Sequence, residues 1–292
     1  MAITAAQVKE LRERTGSGMM ECKKALTEVN GDMEAAIDHL RKTGQAKADK
    51  KSSRVAAEGK IVIALTDDNK TAIIIEINCE TDFAAKDDNF SQFADDVAQC
   101  ALSNKPATVD ELNNLKLTSG LTVEETRKTL IAKIGENISV RRFEIVSSTG
   151  VLGYYSHGNR IGVVVRSSSD KLELAKDIAM HIAASKPICV SADQVAPEIL
   201  NREKEIYLAE AASSGKPDNI IEKMVEGKIN KYLKEVTLLG QPFVKDPDQT
   251  IEKLLKSENT TIESFVRFEL GDGIEKKVDN FAEEVMAQAK GS

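Results

Sequence analysis

The stretch Ala72-Ile73-Ile74-Ile75-Glu76-Ile77-Asn78-Cys79-Glu80-Thr81-Asp82-Phe83-Ala84-Ala85-Lys86 decides how the chain is read. The apolar run from Ala72 to Ile77 predicts a strand, and helical spacing begins near Asn89 or Phe90. Between them lies a polar connection with one large aromatic, Phe83, flanked by Asp82 and by Lys86-Asp87-Asp88. Aromatics make up only 4% of the chain, and Trp is absent. A Phe on such a connection ordinarily turns back into its own core. The other reading is that it points at a partner.

Working outward, Ile61 to Leu65, the turn Asp67-Asp68-Asn69-Lys70 and Thr71 to Ile77 predict a β-hairpin. Phe90, Phe93, Ala94, Val97 and Ala101 mark the helix after it, which ends near Asn104-Lys105-Pro106. Thr122-x-x-Glu125 is a capping box for a helix through Leu130, Ile131 and Ile134 that stops at Gly135. A strand follows over Ile138 to Val146.

The pattern then returns. Val151 to Tyr155, the turn Ser156 to Arg160, and Ile161 to Val165 predict a second hairpin, with His157 in its turn. Val163-Val164-Val165 matches Ile73-Ile74-Ile75, and Ser185-Lys186-Pro187 echoes Asn104-Lys105-Pro106. Phe265-Val266-Arg267-Phe268-Glu269 echoes Val140-Arg141-Arg142-Phe143-Glu144. Several matching pieces in one order predict an α+β fold with a duplicated core, two β-β-α-α-β units each forming an antiparallel sheet backed by helices. The second copy carries an insertion, Pro197 to Ala212 and Ile220 to Leu233, read as an antiparallel helical hairpin. Ile199, Ile206 and Ala209 are expected to face Ile221, Met224, Val225 and Tyr232.

The ends complete the outline. Residues 1–42 predict three short amphipathic helices: a capping box at Thr4-Gln7, a second face through Met19, Cys22, Leu26 and Val29, and a third through Met33, Ala36, Ile37 and Leu40. Arg41 to Arg54 holds six Lys or Arg and one Asp with little apolar content, and reads as a basic linker. After Gly271-Asp272-Gly273, the stripe Ile274, Val278, Phe281, Val285 and Ala289 predicts a C-terminal helix. The expected divisions are 1–54, 55–146, 147–273 with the arm at 197–240, and 274–292.

Composition and motifs narrow the function. The 292 residues carry 40 Lys and Arg against 47 Asp and Glu, a net charge of −7. An acidic chain lacks the basic face of a general nucleic-acid binder. RNA contact through 41–54 is a secondary alternative. No apolar run reaches the roughly 18 residues of a membrane span, and a cytoplasmic location is expected. Cys22, Cys79, Cys100 and Cys189 form no C-x-x-C pair, so free thiols are expected rather than metal or disulfide sites. No phosphate-binding loop, no G-x-G-x-x-G and no H-E-x-x-H occurs, and no nucleophile stands beside an evident base. The chain reads as a binder without cofactor or metal.

The motifs Val8-Lys9-Glu10-Leu11-Arg12-Glu13-Arg14-Thr15-Gly16, Met19-Met20-Glu21-Cys22-Lys23-Lys24-Ala25-Leu26, Asn78-Cys79-Glu80-Thr81-Asp82-Phe83, Lys133-Ile134-Gly135-Glu136-Asn137-Ile138, His157-Gly158-Asn159-Arg160-Ile161-Gly162 and Gly240-Gln241-Pro242-Phe243 resemble bacterial elongation factor Ts. The likeness spans essentially the whole chain. It implies a guanine-nucleotide exchange factor, not an enzyme in the bond-making sense, that speeds GDP release from the GTPase elongation factor Tu. It implies that Thr81, Asp82, Phe83 and Ala84 intrude beside the partner's nucleotide site and disturb its magnesium, with Ala84 standing where the family has Val. It further implies that His157 contacts the partner and that the N-terminal helices resemble a ubiquitin-associated domain. A protein adaptor acting through residues 1–42, suggested by Met19-Met20, is the rival reading, and self-association of the chain stays open.

Overall fold

The computed structural model describes residues 3–212 and 217–275. Three helices open the chain: α1 (Ala5–Thr15), α2 (Met19–Glu28) and α3 (Met33–Lys51). Thr4 and Gln7 form the expected capping box, and the Asp32 carboxylate accepts from the Ala35 N–H to start α3. Val8, Leu11, Cys22, Ala25, Leu26 and Ala36 close a small core.

The linker reading of 41–54 is corrected here, because α3 continues to Lys51. Tertiary contacts hold the extra turns. Arg41 pairs with Glu125 at 2.6 Å, Asp49 pairs with Lys128 at 3.1 Å, and Lys51 Nζ donates to the Gly135 carbonyl. A Cβ placed on Gly44 would stand 3.1 Å from the Ala132 methyl, so the two helices cross closely there.

The first repeat follows: β1 (Glu58–Leu65), β2 (Thr71–Cys79), a single turn α4 (Asp82–Ala85), then α5 (Asp88–Asn104), α6 (Val109–Asn114), α7 (Val123–Ile134) and β3 (Ile138–Ser147). The second contains β4 (Leu152–His157), β5 (Ile161–Ser167) and α8 (Leu172–Ser185). The arm, α9 (Pro197–Ala212) and α10 (Asp218–Val236), comes next. A short hairpin of β6 (Pro242–Phe243) and β7 (Asp246–Thr250), then α11 (Ile251–Ser257) and β8 (Ile262–Glu269), complete it. The strand orders are β1-β2-β3 and β4-β5-β8, all antiparallel, so each repeat adds its last strand beside the second strand of its hairpin. Both α5 and α8 end at a Lys in the left-handed region, Lys105 and Lys186, which repeats the motif in backbone geometry.

The period of two explains the layering. Ile73, Ile75 and Ile77 of β2 pack with Phe90, Val97 and Ile131 of the helices. Ala72 and Ile74 point the other way, into a core shared with Leu152, Val164 and Phe268 of the second sheet. Val163 and Val165 face Ile178 and Ile182 of α8. The layers run helix, sheet, sheet, helix. This is why β2 is buried along its whole length instead of alternating.

The arm seam differs from expectation by one residue. Ile199, Ile206 and Ala209 face outward, while Leu200, Glu203, Tyr207 and Ala211 turn toward α10. Tyr207 lies under Lys228, whose Nζ is 5.2 Å from the ring centre. The α9 sequence offers two apolar stripes side by side, and the aromatic one is inside. The expected C-terminal helix and the turn joining α9 to α10 lie outside the described residues.

Candidate partner-contact site

The polar connection after β2 is built from capping residues. Thr81 is the N-cap of α4: its hydroxyl accepts from the Ala84 N–H at 3.2 Å. The same hydroxyl donates to Glu136 Oε1 at 2.6 Å, and the Thr81 N–H donates to Glu136 Oε2 at 2.9 Å. Glu80 returns the bond, accepting from the Asn137 N–H at 2.6 Å. The Asp87 carboxylate then accepts from the Asn89 and Phe90 N–H groups and starts α5. The loop expected around Phe83 is therefore a fixed helical turn, and α5 starts at Asp88.

That turn sends its side chains in opposite directions. Ala84 and Ala85 face the first core, where Ala84 is only 4% exposed. Phe83 faces solvent and is 81% exposed, the largest value among the exposed large hydrophobic residues described. Asp82 beside it is also exposed. Lys86, one turn on, bonds the Asp82 carboxylate at 2.7 Å and stands 5.8 Å from the Phe83 ring centre. The Lys86 hydrogen bond holds the Asp82 carboxyl below its ordinary range, so it is ionised at neutral pH. Cys79, just before the turn, is buried, and burial with the nearby Glu136 and Glu58 charges pushes its thiol up to about 12. It is a packed thiol rather than a nucleophile.

The N-terminal helices reach the same place. Arg12, Gly16, Ser17 and Gly18 line one groove with Phe83, Ala84, Lys133 and Glu136. Gly16 caps α1 in the left-handed region, and a Cβ there would press on Lys133 at 3.2 Å. On the outer face of α2, Met19 and Met20 are 59% and 73% exposed.

His157 is the last residue of β4 rather than part of the turn, which comprises Gly158 to Arg160. It is exposed, and its Nδ1 lies 3.2 Å from the Tyr155 hydroxyl. The turn after it is anchored to the first sheet. The Ile61 N–H donates to the Asn159 carbonyl at 2.9 Å, and Arg160 pairs with Glu58 at 3.0 Å. Glu58 is register partner to Cys79, so the His157 turn and the Phe83 turn lie toward one end of that sheet. Glu136 and Asn137 stand in the sequence only within a family motif and Lys86 only in the charged run after Phe83, and none of them is given a site role there. The Thr81-x-x-Ala84 cap and the Gly135 helix stop were the available signals, but neither tells which distant residue closes the bracket.

Among the described residues no group of three His, Cys, Asp or Glu side chains could hold a metal, and no helix is long and apolar enough to cross a membrane. Fold and site together define a mixed helix-and-sheet protein that holds an aromatic side chain outward on a braced turn. The family described as "Elongation factor TS" matches residues 80–272. The chain is 62% identical over 294 residues to elongation factor Ts of Thioalkalivibrio sulfidiphilus, covering 100% of both chains. It is 60% identical to that of Methylococcus capsulatus, again over 100% of both, and 59% identical to that of Legionella pneumophila strain Paris over 99% of each. The chain belongs to the elongation factor Ts family.

Proposed function

We propose that this chain is a guanine-nucleotide exchange factor acting in the cytoplasm during translation elongation. It binds elongation factor Tu carrying GDP, disturbs the magnesium and nucleotide site, and promotes GDP release. The observation that carries the reading is Phe83, 81% exposed on a turn braced from behind. A single exposed apolar side chain is ordinary on a protein surface; what marks this one is the turn braced by Glu136 and Glu80 to hold it outward.

Phe83 is the wedge. Asp82 brings a negative charge that competes for the partner's magnesium shell. Thr81 and Ala84 belong to the same motif and support these two from beneath, and His157 supplies a second contact. The factor binds the empty partner more tightly than the GDP-loaded one, and the coupling is reciprocal: whatever weakens GDP also lets rebinding GDP expel the factor. Each tenfold loss of GDP affinity takes about 1.4 kcal/mol. Burying a Phe side chain supplies about 1.5–3 kcal/mol, one to two decades. The factor makes and breaks no covalent bond in this scheme and needs no cofactor.

The adaptor alternative rests on Met19 and Met20, which are exposed. Because α3 is braced on α7 and the α1–α2 loop lines the Phe83 groove, we assign these methionines to the same partner surface. The test is release of fluorescent GDP from elongation factor Tu. Phe83→Ala should slow stimulated release by roughly ten- to a hundredfold. An unchanged rate removes the wedge.

A further inference from the structure

We propose that Glu136 is the positioning residue for the Phe83 wedge, and that the turn Gly135-Glu136-Asn137 links the wedge to the N-terminal helices. This rests on the exchange reading above and assigns a new role within it.

The geometry is a two-sided bracket. On one side, both carboxylate oxygens of Glu136 hold Thr81, at 2.9 Å to its N–H and 2.6 Å to its hydroxyl, while Glu80 holds the Asn137 N–H at 2.6 Å. Thr81 is the cap from which α4 starts, so the direction of its first turn sets where Asp82 and Phe83 point. On the other side, Asn137 Nδ2 donates to the Arg54 carbonyl at 2.8 Å and to the Ser52 carbonyl at 3.4 Å. Lys51 at the end of α3 donates to the Gly135 carbonyl. The bracket thus joins the end of α3 to the cap of α4.

The arrangement has a mechanical consequence. A one-turn helix has too few internal hydrogen bonds to hold its own direction. An exposed ring on such a turn sweeps a cone unless its cap is fixed, and a wandering wedge enters the partner's pocket less often in the productive orientation. Glu136 fixes the cap with a charge-assisted pair of bonds, the strongest type available at this position.

The experiment measures fluorescent GDP release from elongation factor Tu over a range of concentrations of the full chain. It compares wild type, Glu136→Ala, Glu136→Gln, Thr81→Val, Phe83→Ala and the Phe83→Ala, Glu136→Ala double variant. Glu136→Ala should lower the saturating release rate about tenfold while moving the half-saturating concentration less than about twofold, because a misdirected wedge slows the release step while the rest of the docking surface is unchanged. Glu136→Gln, which still offers an acceptor to the Thr81 N–H and a donor to its hydroxyl, should recover most of the rate. Thr81→Val, nearly isosteric, should lose a few-fold. In the Phe83→Ala background, Glu136→Ala should add less than about twofold, because a residue that acts through Phe83 has nothing left to act on. Hydrogen exchange should show the Thr81 and Asn137 amides opening in Glu136→Ala with β2 still protected.

Undiminished saturating rates in both Glu136→Ala and Thr81→Val overturn the bracket. So does an equal fractional loss in the wild-type and Phe83→Ala backgrounds, which marks general destabilisation. A Phe83→Ala chain as fast as wild type instead removes the wedge on which the bracket acts, and a wild-type chain that does not speed release removes the exchange reading, so the failures are told apart.

Discussion

Arg141 occupies the bulge of β3 opposite Glu76 and brings its guanidinium to 2.9 Å from a carboxylate that is wholly buried. The register steps from Glu76↔Arg142 to Ile77↔Val140, leaving Arg141 as the extra residue. A bulge turns two successive side chains toward one side, and here both Arg141 and Arg142 reach Glu76, Arg142 Nε at 2.6 Å. Gly271 donates its N–H to the same carboxylate at 2.8 Å, and Arg142 stacks 4.3 Å over the Phe268 ring. Glu76 therefore ties the first sheet to the end of β8. Burial alone would raise its pKa, but the Gly271 N–H, Asn78 and the two arginines outweigh it and hold the carboxyl low.

Breaking that knot from the carboxylate side should be severe. Glu76→Ala leaves the Gly271 N–H and two half-buried guanidinium groups without their shared acceptor, though Arg141 and Arg142 keep the Asp272 and Glu269 carbonyls, and such a loss costs about 1–3 kcal/mol or more. Glu76→Gln keeps an acceptor for Gly271 and should cost less. Urea unfolding of both variants checks the order. The folded pKa is depressed, so the contribution is present above the ordinary Glu value, about 4.3, and is lost as pH falls through the lower folded value.

His181 gives a second acid dependence, in a higher window. It is completely buried on α8, with Nδ1 accepting from the Val244 N–H at 3.3 Å, which leaves Nε2 to donate to Gln241 Oε1 at 3.0 Å. Gln241 in turn donates to the Ser185 and Glu235 carbonyls, so this ring anchors the root of the arm. Burial lowers its pKa, and the Gln241 bond only partly offsets that. Below about pH 6.5 the unfolded chain binds a proton that folded His181 refuses, so stability falls with pH until the depressed folded value is reached. The slope contributed is at most about 1.4 kcal/mol per pH unit. Urea midpoints at pH 7.5 and 5.5 should drop together with protection of the β6–β7 amides, and His181→Gln should flatten the decline.

Two glycines in the second sheet should respond very differently to one added methyl. At Gly153 a Cβ would meet the Ala175 carbonyl carbon at 2.3 Å, and α8 backbone cannot step aside. At Gly162 it would meet the Ile61 Cγ2 at 2.6 Å, with Ile74 Cδ1 at 3.0 Å and Ile63 Cδ1 at 3.2 Å, all side-chain atoms rather than backbone. Gly162→Ala is expected to cost about 1–3 kcal/mol as ordinary overpacking, and Gly153→Ala clearly more. Thermal unfolding of the pair settles the ranking.

The contrast between these glycines also shows what was legible in the sequence. The two strand hairpins, their echo and the caps at Thr4, Thr122 and Gly135 were readable because period and capping chemistry are local. Residues 41–54 were misread because their basic, Gly-containing composition is that of a solvated hinge, and only Glu125, Lys128, Ala132 and Gly135 of the distant α7 region make a helix of them. The β6–β7 hairpin and α11 went unread because Asp246-Pro247-Asp248 carries no strand period. Asp82 and Phe83 were marked through their motif, yet residue chemistry alone expected the ring to turn inward. What turns it out is Ala84, which takes the inward position of the same one-turn helix, and Glu136, which lies 55 residues from Thr81 in the chain.

Gly44 makes the coupling between the N-terminal helices and the wedge accessible to experiment. It lies mid-helix in α3, where Gly costs about 1 kcal/mol relative to Ala, so its small size serves the crossing with α7. A Cβ there would be 3.1 Å from the Ala132 methyl, a contact tight enough to need a shift of a few tenths of an ångström. For Gly44→Ala the gain in helix propensity and the tight contact should nearly cancel, leaving stability within about 1 kcal/mol of wild type. Gly44→Val adds two more methyl groups to the same gap and loses most of the propensity gain, so α3 should lift from α7. Hydrogen exchange is then expected to rise through α1, α2 and α3 while β2 and β5 stay protected, because the core of Ile73 and Ile75 loses only Ala48 of α3 and keeps Phe90, Val97 and Ile131, and the core of Val163 and Val165 has no member on α3. The Lys51 bond to Gly135 and the Asn137 bonds to Ser52 and Arg54 should open in the same variant, loosening the turn that carries Glu136. If the helices open while the Thr81 and Asn137 amides keep full protection, the N-terminal helices and the wedge are mechanically separate, and the link drawn between them fails.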